Sequence, residues 1–275
     1  MRHFRLTLMG AFYSLVMVAG GCVTTGPGGK TSFLVIGSGQ EVEMGRGMSV
    51  EVAKQNKVSA DTAWQRYITE LGQKIVRVSD RADIEYHFAV IESDEINAFA
   101  LPGGYVYFYT GLLSRMDNEA QLVAVMSHEI SHVVARHGMK RLQTALIAQL
   151  GYSVVFGDNP SQVTQAGVGL GMGLIFSGYS RSAEREADRY GIQYMVQAGY
   201  HPTGATQMFE VLAAAGEGQR SFYEKLAASH PETLERVSLS KKQISEMGTL
   251  PAGLRFEKEG YQRMKARLPK PSPKN

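Results

Sequence analysis

The sequence predicts an α+β fold, mostly helical, with a small β-sheet. Three observations carry this expectation. Residues 38–78 follow a helical pattern with polar faces and no proline, and helical stretches recur at 118–133, 139–150, 180–198, 203–215 and 231–246. Two stretches read as strands from their pattern: Ile84, Tyr86, Phe88 and Val90 alternate with Glu85, His87 and Ala89, and Tyr105–Tyr109 is β-branched and aromatic. No internal repeat at solenoid or propeller periods interrupts the chain, so its 275 residues read as one large domain with small extensions.

Arg2 and Arg5 precede an apolar run from Leu6 to Ala19, and small residues Gly20 and Gly21 follow. This is the pattern of a secretory signal. A retained signal-anchor helix is the alternative, but the run is shorter than the roughly 20 residues that span a bilayer. Ala19-Gly20-Gly21-Cys22 resembles a bacterial lipobox, which implies cleavage after Gly21 and lipidation of Cys22. Val23 in the next position resembles Gram-negative lipoproteins sorted to the outer membrane; an inner-membrane anchor facing the periplasm is the alternative. The expected organisation is a signal at 1–21, a flexible Gly/Thr/Pro-rich tether at 22–37, a single domain at 38–250 and a partly disordered C-terminal extension at 251–275.

Within the domain, Pro102-Gly103-Gly104 signals a turn before the second strand. Asn118 suits a helix N-cap and Gln121 completes a capping-box pattern. That helix is expected to stop near Gly138. Gly199 and Pro202 punctuate the gap near 200. The apolar, glycine-rich stretch 166–177 is too short to span a membrane. It reads either as a helix over the core or as a lid or membrane contact.

Composition excludes several functions. Hydrophobic residues make up 44%, too many for wholesale disorder. The net charge of +3 falls to about +1 once Arg2 and Arg5 leave with the signal, so nothing points to nucleic acid. A single cysteine excludes an internal disulfide, a redox pair and a multi-thiolate zinc site. A metal site must therefore use His, Asp or Glu.

His128-Glu129-Ile130-Ser131-His132 is an HExxH sequence within an expected helix. Residues four apart share a helix face, so the two imidazoles can bind one Zn²⁺. Glu129 can reach a water that zinc has acidified toward a pKa of about 7 and take its proton as it attacks a carbonyl. A catalytic zinc needs a third protein ligand. His137 lies half a turn round from His128 if the helix continues, and reads instead as a helix C-terminal residue. In Ser182-Ala183-Glu184-Arg185-Glu186-Ala187-Asp188, Glu184 and Asp188 share a face. Glu184 is the expected ligand, with Asp188 accepting the N–H of a liganding histidine. Glu186 points elsewhere. A solvated, charge-laced helix is the competing reading, because Arg181, Arg185 and Arg189 alternate with the acids.

Four pieces occur in an order that resembles peptidase family M48, the CAAX prenyl protease and HtpX-like zinc metallopeptidases. They are Asn97 through Gly104 (NAFALPGG), Ser127 through Gly138 (SHEISHVVARHG), Glu184 through Asp188 (EREAD), and His230-Pro231 with Glu235-Arg236. The resemblance implies a zincin-like, gluzincin-type domain with one Zn²⁺ on His128, His132 and Glu184, and Glu129 catalytic. It further implies a soluble periplasmic lipoprotein branch that degrades misassembled outer-membrane proteins, held by its lipid anchor near the outer-membrane assembly machinery.

An extended substrate can add to an exposed strand edge, and Asn97, Ala98, Phe99 and Ala100 are placed for it; a plain core strand is the alternative. His230 can donate to an oxyanion, or merely begin a helix at Pro231. Arg236 is expected to orient the site or touch substrate. His87 and His201 read as incidental surface residues. The expected activity is zinc-dependent endopeptidase action on unfolded or misassembled envelope proteins. The rival is a non-proteolytic chaperone or assembly factor that retains the zinc fold.

Overall fold

A computed structural model describes residues 22–151, 155, 157, 159–175, 177–218, 230 and 233–270. The expected signal 1–21, Pro231 and the last five residues lie outside them. Helices dominate and the main sheet is small, as the sequence predicts.

The chain opens with β1 (Cys22–Thr25) and β2 (Thr31–Leu34), paired antiparallel with Cys22 opposite Leu34. This corrects the flexible tether expected at 22–37. The glycines that suggest a linker make a turn, with Gly28 and Gly29 at positive φ (62° and 76°), and Leu34 and Ile36 then plunge into the core. The single helical stretch expected at 38–78 is two helices, α1 (Ser38–Gln55) and α2 (Thr62–Val76). Asp61 divides them by capping α2, its side chain accepting from the N–H groups of Ala63 and Trp64.

The main sheet holds β3 (His87–Ile91), β4 (Ala98–Leu101) and β5 (Tyr105–Tyr109) in the order β3-β5-β4. β5 runs parallel to β3 and antiparallel to β4, so β4 is an edge strand. Both faces are covered. Phe88, Val90, Ala98, Val106 and Phe108 point into one core, whereas Ile91, Phe99, Leu101, Tyr107 and Tyr109 point into another. The sheet is thus the middle of three layers.

After a short helix α3 (Thr110–Leu113) come α4 (Glu119–Val134), α5 (His137–Leu150), α6 (Pro160–Leu174), α7 (Arg181–Gln197), α8 (Thr203–Gly218), α9 (Thr233–Glu246) and α10 (Lys258–Lys265). Helix α4 packs between the sheet's first face and α7, α8 and α2. Helices α1, α5 and α6 cover the second face. The glycine-rich stretch is largely α6, where Gly167 and Gly171 sit against Met44 and Met48 of α1, a core-packing role. Part of the 251–275 extension is ordered: α10 buries Tyr261, whose hydroxyl donates to the Leu113 carbonyl at 2.6 Å.

Helix α4 starts where its cap predicts. The Asn118 side chain accepts the Gln121 N–H at 3.0 Å, while the Gln121 side chain reaches back to the Asp117 N–H at 2.7 Å. It ends at Val134, within one residue of the expected 133. It stops before Gly138, because Arg136 adopts a left-handed conformation (φ 53°) that costs a non-glycine residue about 1–2 kcal/mol. Long-range contacts hold it there. Arg136 Nε lies 2.7 Å from Glu41 Oε2, and its Nη2 donates to the Ile36 carbonyl at 2.8 Å. Glu41 is fully buried and also takes both Arg81 guanidinium nitrogens, at 3.0 and 2.7 Å, and the Gly103 N–H at 3.2 Å. One carboxylate therefore joins α1, the end of α4 and the turn that leads out of β4. No helix among the described residues is long and apolar enough to cross a membrane.

Candidate metal centre

Helix α4 presents His128 and His132 toward α7. The two helices approach closely at Gly191, where an added Cβ would lie 3.1 Å from the His128 backbone nitrogen. Two turns earlier on α7, Glu184 faces the two imidazoles. His128, His132, Glu184 and His230 offer ligand atoms that all lie within 4.8 Å of one another, and all four residues are buried.

The spacing is tighter than that limit. His128 Nε2 is 3.0 Å from His132 Nε2 and 3.3 Å from His230 Nδ1. The Glu184 carboxylate is 3.0 Å from His230 Nδ1, 3.4 Å from His132 Nε2 and 3.5 Å from His128 Nε2. Ligands placed tetrahedrally around a metal at about 2.1 Å lie about 3.4 Å apart. The donors therefore fit one ion with nitrogen and oxygen ligands.

The surrounding groups orient the donors. His128 Nδ1 lies 2.8 Å from Asp188 Oδ1. Burial and Arg236 oppose protonation of His128, but Asp188 and Glu184 outweigh them and raise its pKa to about 9. Burial likewise opposes the charge on Asp188, yet Arg236 and His128 hold its carboxyl down at about 2. Burial holds His132 well below the usual imidazole range. Glu184 stays ionised despite burial because three imidazoles face it. Arg236 donates to both Asp188 oxygens at 2.8 and 2.6 Å and sits 3.1 Å from Glu184 Oε2. It is only 5% exposed, and its charge also lies over the Phe209 ring. Its donors are engaged with the two carboxylates, a placement that orients them, and its side chain also lines the cavity beside Glu129.

Glu129 is 2% exposed and lies beside the cluster, its Oε1 3.6 Å from His230 Nε2. A partly open cavity of about 50 Å³ lies next to it, with Leu112, Val125, Met195, Met208 and Phe209 on its walls. Along the expected substrate segment, Asn97, Ala98 and Phe99 are buried and Ala100 is half-buried. Their side chains face the cores, which leaves the backbone of an edge strand as what β4 can offer a peptide. His87 is exposed and stacks on Tyr105; His201 stacks on Phe256.

Three nearby residues escaped sequence reasoning. Because α4 breaks at Arg136, His137 does not face away: its Nδ1 lies 2.9 Å from His132 Nδ1. Glu186, also expected to point elsewhere from the ligand face, meets His137 Nε2 at 3.1 Å. Tyr179 stacks on the His132 ring with centroids 4.1 Å apart, and nothing in its local sequence signals this.

Residues 62–243 match the family model described as Peptidase family M48. The chain belongs to that family. Among curated proteins, this M48 chain is 28% identical over 230 residues to the Beta-barrel assembly-enhancing protease of Escherichia coli (strain K12), covering 80% of this chain and 47% of that protein. It is 31% identical over 182 residues to the Mitochondrial metalloendopeptidase OMA1 of Schizosaccharomyces pombe, covering 66% and 53%. It is 32% identical over 170 residues to the Metalloprotease LoiP of Escherichia coli (strain K12), covering 59% and 64%. The chain spans about half the length of the first two relatives. Family membership and the buried donor cluster together mark this as the candidate metal centre of an M48-family chain.

Proposed function

We propose that the chain is a zinc-dependent endopeptidase of the bacterial cell envelope, with one Zn²⁺ per chain, that cleaves unfolded or misassembled outer-membrane proteins. The observation that carries this reading is the convergence of His128, His132 and Glu184, with Glu129 beside them. Two imidazoles and a carboxylate at tetrahedral spacing suit zinc. When bound, the ion supplies a Lewis acid and makes water acidic near neutral pH. Glu129 takes the proton of the attacking water and passes it to the leaving amine. Asp188 and Arg236 hold His128 and Glu184 in place. The β4 edge aligns an extended peptide by strand addition, and the adjoining cavity receives an apolar side chain of the kind an unfolded chain exposes.

For His230 we propose a fourth-donor role in place of the oxyanion donor considered above. Its Nδ1 completes a set of four protein donors, whereas a catalytic metal keeps one position open. Turnover then requires the His230 ring to leave the cluster. His230→Ala is expected to raise the basal rate on a short fluorogenic peptide while weakening metal affinity. Reduced turnover of the fully metal-loaded variant would restore the oxyanion role.

The closed donor set also favours a second reading, a non-proteolytic assembly factor with a structural metal. Digestion of an unfolded porin, with and without chelator and beside Glu129→Gln, separates the two. Equal digestion by the variant would sink the peptidase, and porin assembly rescued by Glu129→Gln would favour the rival. The relatives named for β-barrel assembly, together with the lipobox-like residues before Cys22, support lipid anchoring on the periplasmic side of the outer membrane, with the inner membrane as the alternative. Cys22→Ser that still sediments with membranes would end that placement.

A further inference from the structure

We propose that His137 and Glu186 are positioning residues for the metal ligand His132. The inference rests on the metal-centre reading above and goes beyond its ligand set. His128 and His132 are both two-nitrogen ligands, and each uses Nε2 toward the shared point. A liganding imidazole needs a partner for its other nitrogen, which fixes the tautomer and the ring plane. For His128 that partner is the Asp188 carboxylate. Among the described residues no carboxylate lies at His132 Nδ1; the imidazole of His137 does, at 2.9 Å.

The proton positions follow from the ends of this chain. With Nε2 directed at the metal, His132 carries its proton on Nδ1 and donates to His137 Nδ1. His137 must then carry its proton on Nε2, where Glu186 Oε2 accepts it at 3.1 Å. Glu186 is an acceptor only, so it selects the one His137 tautomer able to receive the His132 proton. His132 and His137 are 2% and 5% exposed, so water has little access to substitute for either bond. Lys30 of the β1–β2 turn lies 2.8 Å from Glu186 Oε1, but its side chain is 60% exposed and adds little.

The arrangement depends on the break in α4. Were the helix to continue, His137 would lie half a turn round from His128. The left-handed Arg136 brings it back against His132.

The test is Zn²⁺ affinity by competition with a chromophoric chelator, on the full chain. His137→Phe fills the space but offers no acceptor, and is expected to bind Zn²⁺ roughly 10–100-fold more weakly, the usual loss when a partner of a metal ligand is removed. His137→Asn places an amide oxygen near the position of Nδ1 and should recover most of that loss. A packing role predicts the reverse order. Glu186→Ala should weaken binding several-fold, and keeps the proposal testable if His137→Phe does not fold. The visible spectrum of the Co²⁺ form should change in His137→Phe, since the His132 ring is free to turn. Wild-type affinity in His137→Phe or Glu186→Ala, or equal losses in the Phe and Asn variants, would overturn the inference. A wild-type chain that binds no Zn²⁺ would instead overturn the metal-centre reading beneath it.

Discussion

Glu129→Gln is expected to lower kcat on an unfolded-porin peptide by roughly 10³-fold, within the range of 10²–10⁴ that a positioned general base contributes. Metal content should not change. Glu129 is outside the group of four donors, and glutamine has the same shape as the carboxylate it replaces. The side chain is 2% exposed, so a change of volume there would disturb the packing, and the isosteric substitution avoids this. KM should move little, because the lost interaction belongs to the proton transfer rather than to peptide binding. Kinetics paired with metal analysis check the assignment. A variant that keeps more than about a tenth of the wild-type kcat would show that another group takes the proton.

The second large effect falls on stability and lies outside the catalytic cluster. Glu41→Ala leaves Arg81 and Arg136 buried and without their shared carboxylate. Arg81 and Arg136 are 6% and 4% exposed, so solvent cannot replace it. Removing one partner of a buried pair costs roughly 3–5 kcal/mol, which in a domain of this size lowers Tm by roughly 10 °C or more. The loss is one-sided because each arginine keeps its other partners, the Val133 carbonyl and Ser38 hydroxyl for Arg81 and the Ile36 carbonyl for Arg136. Both charges stay in place without the carboxylate that they share. Glu41→Gln, which keeps an acceptor for the Gly103 N–H, should lose less. Thermal melts followed by circular dichroism measure this. A Tm change under about 2 °C would mean that the three groups do not act together.

The same hub explains which parts of the site were legible in the sequence. The start of α4 was, because Asn118 and Gln121 act on their immediate neighbours. So was the four-residue spacing within His128–His132 and Glu184–Asp188, since helical periodicity is local. The left-handed break that follows α4 was not. A left-handed arginine has no local signature, and Arg136 is held by Glu41, which is 95 positions away in the sequence. His137 was misplaced for that reason; Glu186 does stay off the ligand face, and its pairing with His137 could not be read while His137 was misplaced. The hairpin at Cys22–Leu34 was missed for a related reason: glycine and proline mark a turn and a linker equally well, and only pairing with a second strand decides between them.

Metal dependence is the most direct test of the account. Purified chain should carry one zinc, lose digestion of an unfolded porin when a chelator removes it, and regain digestion when Zn²⁺ is returned. Glu184→Ala should fail to retain the ion under the same conditions. A metal-free chain that cleaves the porin at the wild-type rate, or Glu184→Ala that holds zinc as tightly as wild type, would contradict it.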